Sequence, residues 1–196
     1  YEIFEGNIHE SNTLIPMVES LAHRFGFDHP VVIADAGLLS KNNIDALDEA
    51  GYQYILGARP KNDSAEVKNK ILSMNLKDGQ VRSFKRKDGR RVVVSMSDKR
   101  AINDAKNRRN GLKRLEKKLG AGRLTKSNIN NRGYNKYLSM EGEIKITIDY
   151  DKFNADAAWD GIKAYITNSR LPLKTVVSNY HNLWFIERAF RMNKTD

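Results

Sequence analysis

"PVVIADAG", residues 30–37, is a short unbroken apolar run that ends in an acid and then a glycine. Such a run reads as a strand buried on both faces, the pattern of an α/β sheet rather than of a half-exposed hairpin. Behind it, Ser40 is placed to cap a helix that Gly51 closes, and "YQYILGAR" (52–59) reads as a further strand. Ahead of it, "YEIFEG" (1–6) alternates as a half-buried strand. Asn12 or Thr13 then caps a helix running to about Phe25, with Leu14, Met17, Val18, Leu21 and Phe25 at helical spacing. Strand, helix, strand, helix, strand within 59 residues predicts an α/β core.

Beyond residue 60 the pattern changes. "GQVRSFKRKDGRRVVVSMS" (79–97) predicts two strands around Asp88-Gly89, a pair suited to a tight turn. Residues 100–119 predict a basic helix with Leu112, Leu115 and Leu119 as a narrow apolar stripe, and 120–136 an exposed loop rich in Gly, Asn and Lys, a content that favours mobility. "GEIKITIDY" (142–150) and "GIKAYITNS" (161–169) return to strand, and a last helix begins near residues 172–175 and reaches Lys194. The economical division is a core (1–60), a β-rich basic insertion (61–160) and a return to the core (161–196).

At 196 residues and 40% apolar content the chain is long enough to bury a core, as one domain or as a domain with an insertion. No run approaches the roughly 18 apolar residues of a membrane span, and no secretory signal opens the sequence. Without cysteine, disulfide scaffolds and thiolate metal sites are excluded. GxSxG, P-loop and GxGxxG motifs are missing, and His9, His23, His29 and His181 lack zinc-site spacing. The sequence opens at Tyr1 inside a strand-like run, without methionine, and reads as a fragment. Between residues 99 and 136, thirteen Lys or Arg stand against Asp104 and Glu116, so this segment carries the whole excess of a chain whose net charge is +10. Charge concentrated in this way favours a polyanion through counterion release; a solvated charged helix is the bland alternative.

Two acids stand out. Asp35 sits at the carboxyl end of the buried strand, where α/β folds place functional groups, and where a cap or turn residue would also stand. Glu187 lies in "NYHNLWFIERAFRMNK" (179–194), seven residues from both Tyr180 and Lys194, which is two turns or about 10 Å along a helix. On that face it is either a member of an exposed ion pair or a ligand for a hard divalent cation beside groups that grip phosphate. Phe185, Ile186, Ala189 and Phe190 fall on the opposite side, where they would anchor the helix to the sheet.

Taken in order, "EGNIHESNTL", "VVIADAGLLSKNNIDAL", "GYQYILGAR", "DGRRVVVSMSDKRAINDAKNR", "DGIKAYITN" and "YHNLWFIERAFRMNK" resemble bacterial insertion-sequence transposases of the DDE type. The branch is that with a Tyr-Arg-Glu-Lys signature and a β insertion before the last catalytic residue. Tyr180, Glu187 and Lys194 match the signature in register, whereas Leu183 stands where the arginine belongs; Arg188 and Arg191 are near but out of register. The resemblance implies an RNase H-like mixed sheet flanked by helices, interrupted by the basic insertion, with the first strands of the core missing. It implies Asp35 and Glu187 as second and third catalytic, metal-binding acids, and Mg²⁺ or Mn²⁺ in a two-metal site that cuts and joins phosphodiesters. The first acid would precede these residues, so the fragment is expected to bind metal poorly and not to cut DNA. The implied partner is double-stranded DNA, both transposon ends and target, with a homodimer in the active complex. No membrane is implied; the setting would be the bacterial cytoplasm, in action at the nucleoid. The expected DNA-contacting residues are Tyr180, Lys194, Arg191 and Arg188 near the acids, and Lys106, Arg108, Arg109, Lys113, Arg114 and Lys117 in the insertion. A non-catalytic nucleic-acid-binding module using residues 99–136 is the alternative.

Overall fold

Val32 and Ala34 are buried on one face of the strand that opens the sheet, and Ile33 packs against the core on the other, as a continuous apolar run requires. The computed structural model describes residues 5, 12–28, 30–37, 40–142 and 145–192; in the last stretch the side chains of 187 and 189–192 are outside the description. The helices and strands run in order α1 (Leu14–Phe25), β1 (Val31–Ala34), α2 (Lys41–Glu49), β2 (Gln53–Ala58), α3 (Ala65–Leu72), β3 (Val81–Lys85), β4 (Arg91–Met96) and α4 (Asp98–Gly120). There follow β5 (Leu138–Glu141), β6 (Lys145–Ile148), α5 (Tyr150–Ala155), β7 (Ile162–Thr167), α6 (Leu173–His181) and α7 (Leu183–Met192). The strand expected over residues 1–6 lies, apart from Glu5, outside the described residues.

Two compact units result, one formed by the chain up to Ser95 together with the part from Lys163, the other by Met96–Ile162. The first contains a five-stranded mixed sheet in the order β1-β2-β7-β4-β3. β1 and β2 are parallel, while β2 with β7 and β3 with β4 are antiparallel. With its flanking helices this is the RNase H-like α/β architecture that the sequence predicts. The expected insertion (61–160) therefore divides, because its first hairpin extends the sheet and its remainder forms most of the second unit.

Strand alternation puts Ile55 and Gly57 on one face of β2, with Tyr54 and Leu56 on the other. On the first face, Ile55, Val93, Tyr165, Val176 and Tyr180 form the core cluster, so α6 is the helix that covers it. The opposite face is fixed to α2 by polar contacts. The Arg90 guanidinium donates to Asp45 at 2.6 Å and Asp48 at 2.9 Å, and Asn168 Nδ2 donates to Asp48 at 3.0 Å. Burial, then the Asp48 carboxylate, push the Tyr54 phenol well above its ordinary pKa, so it remains a neutral donor to Asp48 at 3.4 Å. Asp45 and Asp48 thus bind the helix to the hairpin.

In the second unit Ser97 caps α4, accepting from the Arg100 amide at 3.4 Å, and Lys117 and Lys118 occupy the last turn, where the helix dipole favours cations. Its apolar stripe packs on Tyr137, Leu138, Ile148 and Phe153. Residues 120–136, expected as an exposed loop, contain short 3-10 turns at Lys126–Asn128 and Gly133–Tyr137, and they lead to the buried Tyr137. The strand expected at 142–150 is shorter, since Asp149 caps α5 by accepting from the Lys152 amide at 2.8 Å. Its partner β5 and helix α3 were not anticipated.

Gly111 stands in the middle of α4, where glycine costs about 1 kcal/mol relative to alanine. The cause is Tyr134, whose ring lies against the backbone, so that a Cβ at 111 would fall 2.3 Å from Cδ1 of the ring. Gly111→Ala is expected to destabilise the protein by about 1–3 kcal/mol, the overpacking cost exceeding the gain in helix propensity. In a Tyr134→Ala background the same change should be neutral or stabilising. Urea denaturation of the four variants completes the cycle, and additive effects would mean that the ring is not seated on residue 111.

Candidate functional site

Asp35 follows β1 directly and is exposed at its carboxyl end. Its Oδ1 accepts from the Gly37 amide at 2.7 Å, an Asx turn that reverses the chain and holds one carboxylate oxygen toward the turn. β1 and β2 run parallel with Ala34 opposite Leu56, which carries Asp35 to the level of Gly57. That glycine is the opening in the sheet. A Cβ there would lie 2.3 Å from the Tyr180 hydroxyl and 3.0 Å from the Ala36 amide nitrogen. The Tyr180 phenol consequently sits beside the strand end that carries Asp35. The ring is buried, with its centroid 4.8 Å from that of Tyr165 in an edge-on contact.

A cation that sequence reasoning missed completes this corner. Lys163, two residues before Tyr165 on β7 and therefore on the same face, holds its ammonium 4.3 Å from the Tyr180 ring centroid. Such a cation–π contact favours the charged, partly desolvated ammonium. Arg59 is one step beyond the Ala58–Ala164 pair, at the level of Lys163. The only signal in sequence was strand periodicity, which puts Lys163 on the face of Tyr165, but the partner arrives from α6 and no spacing reveals it.

The long final helix expected from 172–175 to Lys194 is instead two helices. Asn182 ends α6, its amide shared between the Ser178 and Asn179 carbonyls at 3.2 Å each, and its own carbonyl accepts from the Phe185 amide at 3.0 Å. Asparagine competes poorly for a helix interior, but Asn182 keeps right-handed helical angles (φ −64°, ψ −22°), so α6 and α7 are separated by this single residue. The two sides also differ from expectation. Tyr180 is buried and Leu183 packs against the same cluster, whereas Trp184, Phe185 and Ile186 are 54–62% exposed. Leu183, in the register of the signature arginine, is thus an apolar contact with the core. Arg188 is exposed, its guanidinium 5.4 Å from the Trp184 ring. Glu187 and Arg191 lie in α7 with side chains outside the description, and Lys194 is outside the described residues.

In the second unit the expected DNA-contacting residues separate by helical phase. Lys106, Arg109, Lys113, Arg114 and Lys117 are all exposed, and with Lys99 they fall within about 140° of the helix circumference over about 27 Å of axis. Arg108 does not belong with them. It lies on the stripe of Leu112 and Leu115, where its guanidinium meets Asp160 at 2.5 Å and the Phe153 ring at 5.1 Å. That charge is taken by an intramolecular partner and is a structural group. Among the described residues, no three His, Asp or Glu side chains are grouped as metal ligands, and no helix is long and apolar enough to cross a membrane.

Comparison with known proteins agrees with the fold. No curated protein and no solved structure matches the chain, but the family model described as a transposase DDE domain matches residues 1–196. Over that span the chain belongs to the transposase DDE domain family, enzymes that act on DNA by nucleotidyl transfer and generally employ divalent metals.

Proposed function

We propose that Asp35 and Glu187 are the second and third acids of a two-metal DNA-cutting and joining site, of the insertion-sequence branch with the Tyr-Arg-Glu-Lys signature. The observation that supports this reading is Tyr180 over Gly57 of β2, beside the Ala36 amide, because it sets the helices leading to Glu187 next to the strand end that carries Asp35. Asp35 offers an exposed carboxylate, a hard oxygen donor of the type Mg²⁺ or Mn²⁺ accepts. When bound, two such ions would activate water or a DNA 3′-hydroxyl and neutralise charge on the phosphoryl oxygens. Tyr180, Arg188, Arg191 and Lys194 are assigned to the DNA backbone at this site. Lys163 supplies the cation that Leu183 does not.

The exposed face of α4, with Lys106, Arg109, Lys113, Arg114 and Lys117, is assigned to double-stranded DNA of transposon ends or target, in a homodimeric complex. Only two of the family's three acids are identified in residues 1–196, so this chain alone is expected to bind catalytic metal weakly and to leave DNA intact. Under the second reading, a binding module without catalysis, affinity for DNA would be the whole of the activity; the phase-sorted cations of α4 are what favour it.

Four outcomes test these assignments. Residues 1–196 incubated with supercoiled DNA and Mg²⁺ or Mn²⁺ should give no nicking above background, and robust cleavage that Asp35→Asn abolishes would refute the inactivity. In a transposase complete in its three acids, Asp35→Asn and Glu187→Gln should each remove cleavage while DNA binding persists; cleavage that survives either change would take that acid out of the site, and DNA binding with no cleavage even before mutation would favour the binding-module reading. Lys106→Ala and Lys113→Ala should each reduce the slope of log affinity against log salt by about 0.9, measured by anisotropy, with circular dichroism unchanged. Lys163→Met should lower cleavage in that complete enzyme and Lys163→Arg should restore it, whereas equal loss in both would make Lys163 a packing group only.

A further inference from the structure

In the first unit, β3 is the end strand of the five-stranded sheet and is paired on one side only, with β4. The Arg86 amide donates to the Arg90 carbonyl at 2.8 Å, and Phe84 and Arg82 stand opposite Val92 and Val94. In an antiparallel ladder, residues that exchange bonds alternate with residues that do not. Arg82, Phe84 and Arg86 therefore turn their backbone groups toward β4, and Val81, Ser83 and Lys85 turn theirs outward. Among the described residues no group bonds to these outward amides and carbonyls.

A cavity of about 300 Å³ lies beside this edge, between α3 and the strand. Val67 and Phe84 form its apolar wall, and Lys70 holds its ammonium 4.7 Å from the Phe84 ring centroid. The acids that line it are engaged, Glu66 with Lys87 at 2.8 Å and Asp88 with Arg86 at 3.8 Å. Lys70, Arg82 and Lys85 are exposed, and among the described residues none of the three is in an ion pair.

Alternating donors and acceptors at strand spacing are matched only by another extended backbone. Phosphates of duplex DNA offer acceptors without donors, so DNA meets the cations and leaves the outward carbonyls bare. A second copy of β3 supplies a backbone, but it brings its own Arg82 and Lys85, and the strand contains no acid. Cations on an edge are a common means of keeping like strands apart. An extended acidic segment satisfies both the ladder and the charges. Its alternate side chains fall on the α3 side of the sheet, where one apolar group reaches Val67 and Phe84. Strand addition to an edge takes its affinity from the ladder and its specificity from such side pockets. We propose that the β3 edge is a docking site for an extended acidic segment of a partner protein, added as a further strand with one apolar side chain in the α3 cavity.

The probe is a labelled peptide of glutamates and threonines with one central leucine, titrated with residues 1–196 and read by fluorescence anisotropy. Methylation of its amide nitrogens in one alternate frame should abolish binding, and in the other frame should leave it nearly unchanged, because only one set of amides faces β3. A peptide with lysine in place of glutamate should not bind, and alanine in place of the leucine should weaken binding. Arg82→Gln and Lys85→Gln should each weaken it about two- to fivefold, the range of one cross-strand charge pair, with thermal stability unchanged. Ser83→Pro removes an outward donor, a change that an edge strand tolerates, and should weaken binding further. In hydrogen exchange followed by NMR, the peptide should protect the amides of Val81, Ser83 and Lys85, while those of Arg82 and Phe84 are protected with or without it. Equal effects of methylation in the two frames, or no new protection at those three amides, would overturn strand addition. Equal binding of the lysine peptide would overturn the acidic partner. Protection of the same amides by duplex DNA, or by self-association of the chain without peptide, would give the edge to another occupant and overturn the proposal.

Discussion

Tyr180 can lie over β2 only because residue 57 has no Cβ, and a methyl group there would occupy the position of its hydroxyl. From this contact the other features of the first unit follow. The phenol fills the gap left by glycine in a strand otherwise buried on both faces, which sets the depth of α6 against the sheet. That depth fixes Val176 and Tyr165 in the core and brings the aromatic ring under Lys163. It also determines where α6 ends, and so the direction in which α7 carries Glu187. A glycine in a central strand weakens it; here that weakness is offset by a larger aromatic contact, at the level where β1 ends in Asp35.

The fold was largely legible because its strands are of two readable kinds. "PVVIADAG" and "YQYILGAR" are continuous apolar runs, and both became buried neighbours in a parallel pair. Ser40 and Gly51 marked the limits of α2, with the Ser40 hydroxyl accepting from the Asn43 amide at 3.1 Å. What remained illegible depended on tertiary contact. Residues 138–141 have no pattern of their own as a strand, and pair only because the segment at 145–148 runs back along them. Asn182 reads as one polar residue within a helical period, and nothing local says that the helix is interrupted there.

Legibility of the site follows the same division. Asp35 stands out by its place after a buried run, and Tyr180 and Glu187 by the signature they resemble. Arg108 and Arg109 are adjacent and chemically identical, yet 100° of helical rotation separates solvent from the interior. One meets water and the other meets Asp160 and Phe153. Composition counts both as positive charge available to a polyanion. Phase relative to Leu112 and Leu115 distinguishes them, and once that phase is fixed the basic segment contains fewer available cations than its net charge suggests.

Leu183 illustrates how a departure from a pattern can be absorbed by the surrounding structure. An arginine at that position would bring a charge against the apolar cluster on which Leu183 packs, and an unpaired buried cation is costly. Leucine removes that cost and strengthens the junction between α6 and α7. The charge lost from α7 has a neighbour on β7, because the same ring that anchors α6 attracts the Lys163 ammonium to its face. A strand can deliver a cation to the corner as well as a helix can, provided the aromatic ring that orients it is itself held, and here that depends on the glycine beneath it.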